Sequence, residues 1–309
     1  MEFVKGITWG WVGTRGTWGT KEAEFSMEEM AKTGVNWTAI AFSALQDHPQ
    51  ATEIRFREEP TVTDAEILWA IQKAKELGLK VCLKPVVNCA NGVWRAHINF
   101  FDIDVPCEPK WSEWFASYTG FILHYARIAE DTGCEMFCIG CEMVQTDRRA
   151  AEWRELIRKV REVYTGMITY NCDKYQERQV TWWDAVDVIS SSGYYPIGSW
   201  DERIADLESF AQEQKKPFFF MEAGCPSRSG SAQVPNDWGL QGPVSMEEQD
   251  EYYRVMFDKL DNKPWFYGYM LWDWPAKLYS REEAESNDDY CIYGKPAEKT
   301  VRDYYIGKR

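Results

Sequence analysis

The stretch EMFCIGCEMVQ, residues 135–145, offers two kinds of chemistry. Cys134, Cys138 and Cys141 spell C-x3-C-x2-C, the spacing of iron–sulfur enzymes that use S-adenosylmethionine. Glu142, in the same stretch, closes an apolar run, where a strand can present an acid. In a strand with side chains alternating between faces, Cys138, Gly140 and Glu142 share one face and Ile139 and Cys141 the other. Alternation therefore separates the thiols and disfavours a cluster. A zinc site is disfavoured too, because His48, His97 and His124 form no ligand-spaced pair. No metal or cofactor is expected.

The carboxylate reading needs a second acid, and Glu222 ends the apolar run PFFFMEAG. Either glutamate alone is equally well explained by a salt bridge to Lys84 or by a helix N-cap. Together they suit glycoside cleavage, in which one carboxylic acid protonates the leaving oxygen and one carboxylate meets the oxocarbenium-like carbon. A partly apolar setting keeps the acid protonated, while the nucleophile needs hydrogen-bond donors to stay ionised. A tyrosine from GYYP, Tyr194 or Tyr195, is placed to supply one.

Positioning two such groups requires a scaffold, and short β-rich runs alternate with helical patterns along the chain. FVKGITW, VNWTAIAF, LKVCLKPVV, MFCIGCE, MITYNCD, AVDVISSS, PFFFMEAG and WFYGYMLWDW read as eight strands. Each is followed by a helix or a place for one. TDAEILWAIQKAKELG is the clearest helix, with a Thr63/Glu66 capping box and Gly78 as its stop. Ser26/Glu29 and Ser245/Glu248 suggest capping boxes for two others. This alternation predicts a closed (β/α)8 barrel of one domain, residues 1–309, with an open doubly wound sheet as runner-up. TWGWVGTRGTWG lacks the phosphate-turn pattern that an open dinucleotide-binding sheet would carry. The site of such a barrel lies at the C-terminal ends of its strands. The polar residues there are Lys84, Asn88, Glu142, Asn171, Asp173, Glu222 and Asp273.

The whole chain narrows the partners. Its 309 residues carry a formal charge of −14, which disfavours nucleic acid and anionic membranes. No apolar run approaches the ~20 residues of a membrane span. The N-terminus lacks a signal-peptide pattern, and nine cysteines, an odd number, suit buried thiols in a reducing cytoplasm. A cytoplasmic monomer is expected, with a secreted mature form left open. Sixteen tryptophans are many for this length. Trp9, Trp11, Trp18, Trp94, Trp238, Trp272 and Trp274 fall near the ends of elements, where a ring can stack on a sugar.

The segments ITWGW, VCLKPVVNC, FCIGCEM, GYYP, FMEAGCPSRSG and GYMLWDWP resemble glycoside hydrolase family 113, the β-1,4-mannanases of clan A. The resemblance implies a retaining endo-β-1,4-mannanase acting on β-mannan, glucomannan and manno-oligosaccharides, with sugar transfer to other acceptors as a further outcome. It implies Glu142 as acid/base and Glu222 as nucleophile. It further implies Trp272 beneath the sugar, Tyr194 holding Glu222, and Lys84 and Asn88 on substrate hydroxyls; Trp9 and Trp274 join them as candidate substrate-binding residues. Most clan members place Asn before the acid/base, and this chain has Cys141 there. An axial 2-hydroxyl, as in mannose, is compatible with that change. Another β-glycanase, an exo-acting β-mannosidase and a non-catalytic sugar-binding barrel stay open at this stage.

Overall fold

A computed structural model describes residues 1–308. Eight parallel strands close a barrel in chain order. They are β1 (Val4–Trp9), β2 (Trp37–Gln46), β3 (Lys80–Cys89), β4 (Met136–Cys141), β5 (Met167–Cys172), β6 (Val188–Ser192), β7 (Phe218–Ala223) and β8 (Phe266–Trp274). Outside run α1 (Lys21–Ala31), α2 (Asp64–Glu76), α3 (Trp111–Asp131), α4 (Ala150–Arg161), α5 (Trp200–Gln214), α6 (Met246–Leu260) and α7 (Pro296–Gly307). The architecture is a single-domain (β/α)8 barrel. Between β5 and β6 the place for a helix holds only the short 3-10 turn Trp183–Ala185.

Local chemistry accounts for several helix ends. Thr63 and Glu66 close a reciprocal capping box on α2, and Gly78 follows that helix at a φ of 77°. Two expected caps need correction. α1 begins earlier, with Thr20 as N-cap, and Ser26 lies buried inside the helix. There Ser26 accepts from Trp9 Nε1 (3.1 Å) and donates to the Pro275 carbonyl (2.6 Å). At α6, Ser245 does cap the Glu248 N–H. The Glu248 carboxylate turns away, however, and accepts from the Gly230 and Ala232 amides, pinning the β7–α6 loop.

Two apolar layers follow from the strand pleat. Val4, Trp37, Ala39, Cys82, Met136, Cys138, Phe219, Met221 and Met270 fill the barrel. A larger aromatic layer lies between barrel and helices, where Trp114 stacks on Tyr118 and Trp153 on Trp182, at 4.6 and 5.0 Å. Most of the tryptophan load is spent on this packing.

The pleat breaks at the tops of three strands. On β4, Cys138 opposes Thr169 but Cys141 opposes Asn171, so three residue steps face two. Ile139 packs outward, and a Cβ at Gly140 would also meet the outer rings of Trp153, Tyr118 and Tyr170. Two successive residues thus face out, and Cys138 and Cys141 both point inward. The alternation expected from the sequence therefore fails for these two thiols, because a bulge inserts one extra residue. On β7, Ser191 and Ser192 of β6 pair with Phe220 and Glu222, which leaves Met221 extra. On β8, Ile7 and Trp9 of β1 pair with Leu271 and Trp274. Each irregularity lies at the end of the barrel where Glu142, Glu222 and Trp272 emerge.

Candidate active site

Glu142 follows β4 with a φ of 50°, a left-handed conformation that costs a non-glycine residue energy. Neighbours on β5 hold it there. The Glu142 amide donates to the Asn171 carbonyl (2.7 Å), and the next amide, of Met143, donates to the Tyr170 hydroxyl (3.0 Å). That hydroxyl in turn donates to Asp147 Oδ1 (2.5 Å). Glu222 is fixed from β6, where the Gly193 amide donates to its carbonyl at 2.6 Å.

The two carboxylates belong to one ring of contacts. Glu142 Oε1 accepts from Ser192 Oγ and Oε2 from Arg95 Nη2, both at 2.8 Å. Glu222 Oε1 accepts from Lys84 Nζ at 2.5 Å and Oε2 from the Tyr194 hydroxyl at 3.0 Å. Cys141 Sγ closes one side, 3.2 Å from Arg95 Nη2 and 3.3 Å from Glu222 Oε1. Asn171 closes the other: its Oδ1 accepts from Lys84 (2.7 Å) and its Nδ2 donates to Ser192 Oγ (3.0 Å). The expected salt bridge to Lys84 and the paired-carboxylate arrangement therefore coexist.

Both acids are buried, and their charged neighbours drive them apart. Burial, and then the charge of Glu222, push Glu142 above the ordinary carboxylate range, against the pull of Arg95 and Ser192. Burial alone would raise Glu222 as well. Lys84 and Arg95, with the bonds from Lys84 and Cys141, outweigh it and hold Glu222 below that range. Asp173, beyond β5, is pushed up to about 7 by burial and by the charge of Glu142. The pair thus holds one carboxyl disposed to keep a proton and one disposed to lose it, the division of labour that acid-assisted nucleophilic displacement requires.

Both acids open into a cleft of about 760 Å³. Trp11, Trp94, Trp238, Trp272 and Tyr194 give it aromatic walls, and Asn88, Arg95, Asp173, Lys174 and Asn236 add polar groups. Trp272 lies 5.2 Å from Trp11 and 6.4 Å from Trp238, ring centre to ring centre. Asn88, Tyr194 and Trp272 line the cleft. Three other candidates need correction. Trp9 and Trp274 are fully buried behind the barrel wall, where both indoles bond to Ser26. The extra residue in β8 turns Trp274 outward, although it stands only two positions after the inward Trp272. Lys84 is also fully buried, behind Glu222, and its two hydrogen bonds, to Asn171 and Glu222, serve the ring rather than the cleft.

Arg95 and Ser192 are the contacts that sequence reasoning missed. Arg95 lies in a 3-10 turn, Arg95–His97, within the long β3–α3 loop, where no periodicity marks it. Ser192 ends β6 two residues before Tyr194, a strand-top position that could have exposed it. Among the described residues no group of three or more His, Cys, Asp or Glu is arranged to hold a metal ion.

Residues 7–295 match the family model of Glycoside Hydrolase Family 113. No curated protein matches the chain. A solved structure described as a complex of a GH113 β-1,4-mannanase is 52% identical, with 99% of this chain and 100% of the other covered and a TM-score of 0.98. The GH113 β-mannanase AaManA from Alicyclobacillus acidocaldarius, solved with ManMIm, is 48% identical at 100% and 99% coverage, TM-score 0.97. A β-glucuronidase from Ruminococcus gnavus, 13% identical, matches 98% of this chain and 50% of its own at a TM-score of 0.66, which speaks to fold alone.

Proposed function

The chain belongs to glycoside hydrolase family 113, and on that premise we propose that it is a retaining endo-β-1,4-mannanase. Its substrates would be β-mannan, glucomannan and manno-oligosaccharides. The observation that carries this reading is the pair of carboxylates with opposite proton affinities, joined through Arg95 and Cys141 at the floor of an aromatic cleft. The relatives at about half identity are described as β-1,4-mannanases, which supports mannan as the polymer.

Glu222, kept ionised by Lys84 and oriented by Tyr194, attacks the anomeric carbon. Glu142 gives its proton to the departing glycosidic oxygen. The bond to the leaving sugar breaks, and a mannosyl ester forms on Glu222. That ester has no charge, so one of the two main causes raising Glu142 disappears. Glu142, now a carboxylate beside Arg95, stays ionised and so is available as the base that takes a proton from water as the water displaces Glu222. Another sugar hydroxyl can replace water at this step, giving transfer. One chain supplies every group in this account, which supports a working monomer.

The test is mannohexaose with the wild type and with Glu222→Ala, followed by product sizing. Internal cleavage by the wild type and loss of turnover in a folded variant are expected. Near-normal hydrolysis by Glu222→Ala refutes the assignment of the nucleophile.

A further inference from the structure

Arg95 reaches Glu142 from a loop rather than from the barrel, and all three of its guanidinium nitrogens are engaged. Nε donates to the Cys141 carbonyl (2.8 Å), Nη1 to Asn88 Oδ1 (3.1 Å), and Nη2 to both Cys141 Sγ (3.2 Å) and Glu142 Oε2 (2.8 Å). The loop is clasped to the segment that follows Glu142. Arg148 Nη2 bonds to Asn99 Oδ1 (2.7 Å) and Asp102 Oδ1 (3.0 Å), and Arg149 lies 3.6 Å from the same Asp102 oxygen.

We propose that Arg95 is a positioning residue for Glu142, fixing its transferable proton on Oε1 by occupying Oε2 with a group that can only donate. The proposal rests on Glu142 being the acid/base. A guanidinium has no acceptor and does not give up its proton, so Oε2 stays unprotonated while Nη2 sits on it. Oε1 faces Ser192 Oγ, a hydroxyl that both donates and accepts. Ser192 accepts from Oε1–H while the acid is charged with its proton and donates to Oε1 once that proton has left. The proton passes from Oε1 to the leaving oxygen, and the proton of the incoming water returns to Oε1. The other charged or titratable groups facing Glu142 are Glu222 (β7), Lys84 (β3), Cys141 (β4), Asp173 (after β5) and Tyr194 (after β6). Among these neighbours Arg95 alone places a cation within hydrogen-bond distance of the Glu142 carboxylate.

The experiment compares wild type, Arg95→Gln and Arg95→Lys. It measures kcat/KM across pH on mannohexaose and on 2,4-dinitrophenyl β-mannobioside, whose leaving group needs no proton. Without the cation, Glu142 holds its proton to higher pH. In Arg95→Gln the alkaline limb therefore moves up by about one pH unit. Activity on mannohexaose falls by about 100-fold, and on the dinitrophenyl substrate by less than about tenfold. Arg95→Lys keeps the limb near its wild-type position but recovers little of the mannohexaose rate, because an ammonium cannot reproduce the fork. A limb that stays or moves down in Arg95→Gln, or equal losses on both substrates, overturns the proposal. Should Arg95→Gln fail to fold, full mannohexaose activity in Arg95→Lys overturns it. A wild type inert towards mannohexaose, or an active Glu222→Ala, sinks the functional reading itself, which keeps the two failures apart.

Discussion

Replacing Lys84 by Met tests how the nucleophile is kept ionised. Lys84 is wholly buried, 2.5 Å from Glu222 Oε1, 2.7 Å from Asn171 Oδ1 and 5.4 Å above the Trp272 ring. Methionine approximates its stem and removes the charge. The opposing effects on Glu222 then reverse: burial pushes it up, and the more distant Arg95 and the Cys141 bond are left to pull it down. Truncating one member of a buried pair costs about 3–5 kcal/mol, and each pKa unit is about 1.4 kcal/mol, so about two to four units are at stake. The sign is fixed. A nucleophile that gains a proton more easily dies at higher pH, so the acid limb of kcat/KM moves up by about two units. Initial rates on mannohexaose from pH 4 to 9 should show a loss of about 100-fold at the acid end and about tenfold or less at the alkaline end. Scanning calorimetry should show Lys84→Met/Glu222→Gln melting above Lys84→Met, since the double variant no longer buries an unpaired acid. A loss uniform across pH, with the limb unmoved, would mean that Lys84 acts through shape alone and would refute the electrostatic account.

Three further outcomes follow from the same geometry. Tyr170→Phe strands the Met143 amide and Asp147 Oδ1, so it should lower stability by about 1–3 kcal/mol and reduce kcat as the left-handed turn at Glu142 loosens; calorimetry and steady-state kinetics check both. Asp147 is pushed up to about 7 by burial, and its Oδ2 has no partner. Its raised proton affinity favours the fold at low pH and is a growing penalty as pH climbs from the ordinary carboxylate range to 7. Asp147→Asn removes that penalty, so its melting temperature should gain on the wild type between pH 5 and pH 8. Trp94 and Trp238, 44% and 54% exposed on the cleft rim, should each raise KM for mannohexaose by about tenfold when changed to Ala, as expected for losing one sugar-stacking face. Mannotriose kinetics should move far less if these rings serve the ends of a long substrate.

Much of this architecture is written in local pattern. Apolar runs ending in Glu142 and Glu222 marked two strand tops, and Thr63 with Glu66 marked a helix start, because burial and capping act over a few residues. What was illegible depends on register. Ser26 has the right spacing for a cap, yet Thr20 starts the helix and Ser26 serves two indole-bearing strands instead. Alternation misplaced Cys141 because it cannot show where a strand takes up one residue more than its neighbour. The same limit misplaced Trp274. Lys84 was read as a ligand for sugar because its depth beneath Glu222 is set by a strand more than a hundred residues away. Arg95 carried no mark at all: a loop residue's partner is chosen by where the loop lands.

Lys84 and Arg95 stand against Glu222, which is ionised, and Glu142, which holds a proton until it acts, inside a chain of formal charge −14. Whatever field the acidic exterior spreads through solvent, the ionised groups of the reacting centre are paired with one another within a few ångströms. A polymer without charge has nothing to be steered by and nothing to be repelled by, so dissolved salt should leave its encounter with this cleft almost untouched.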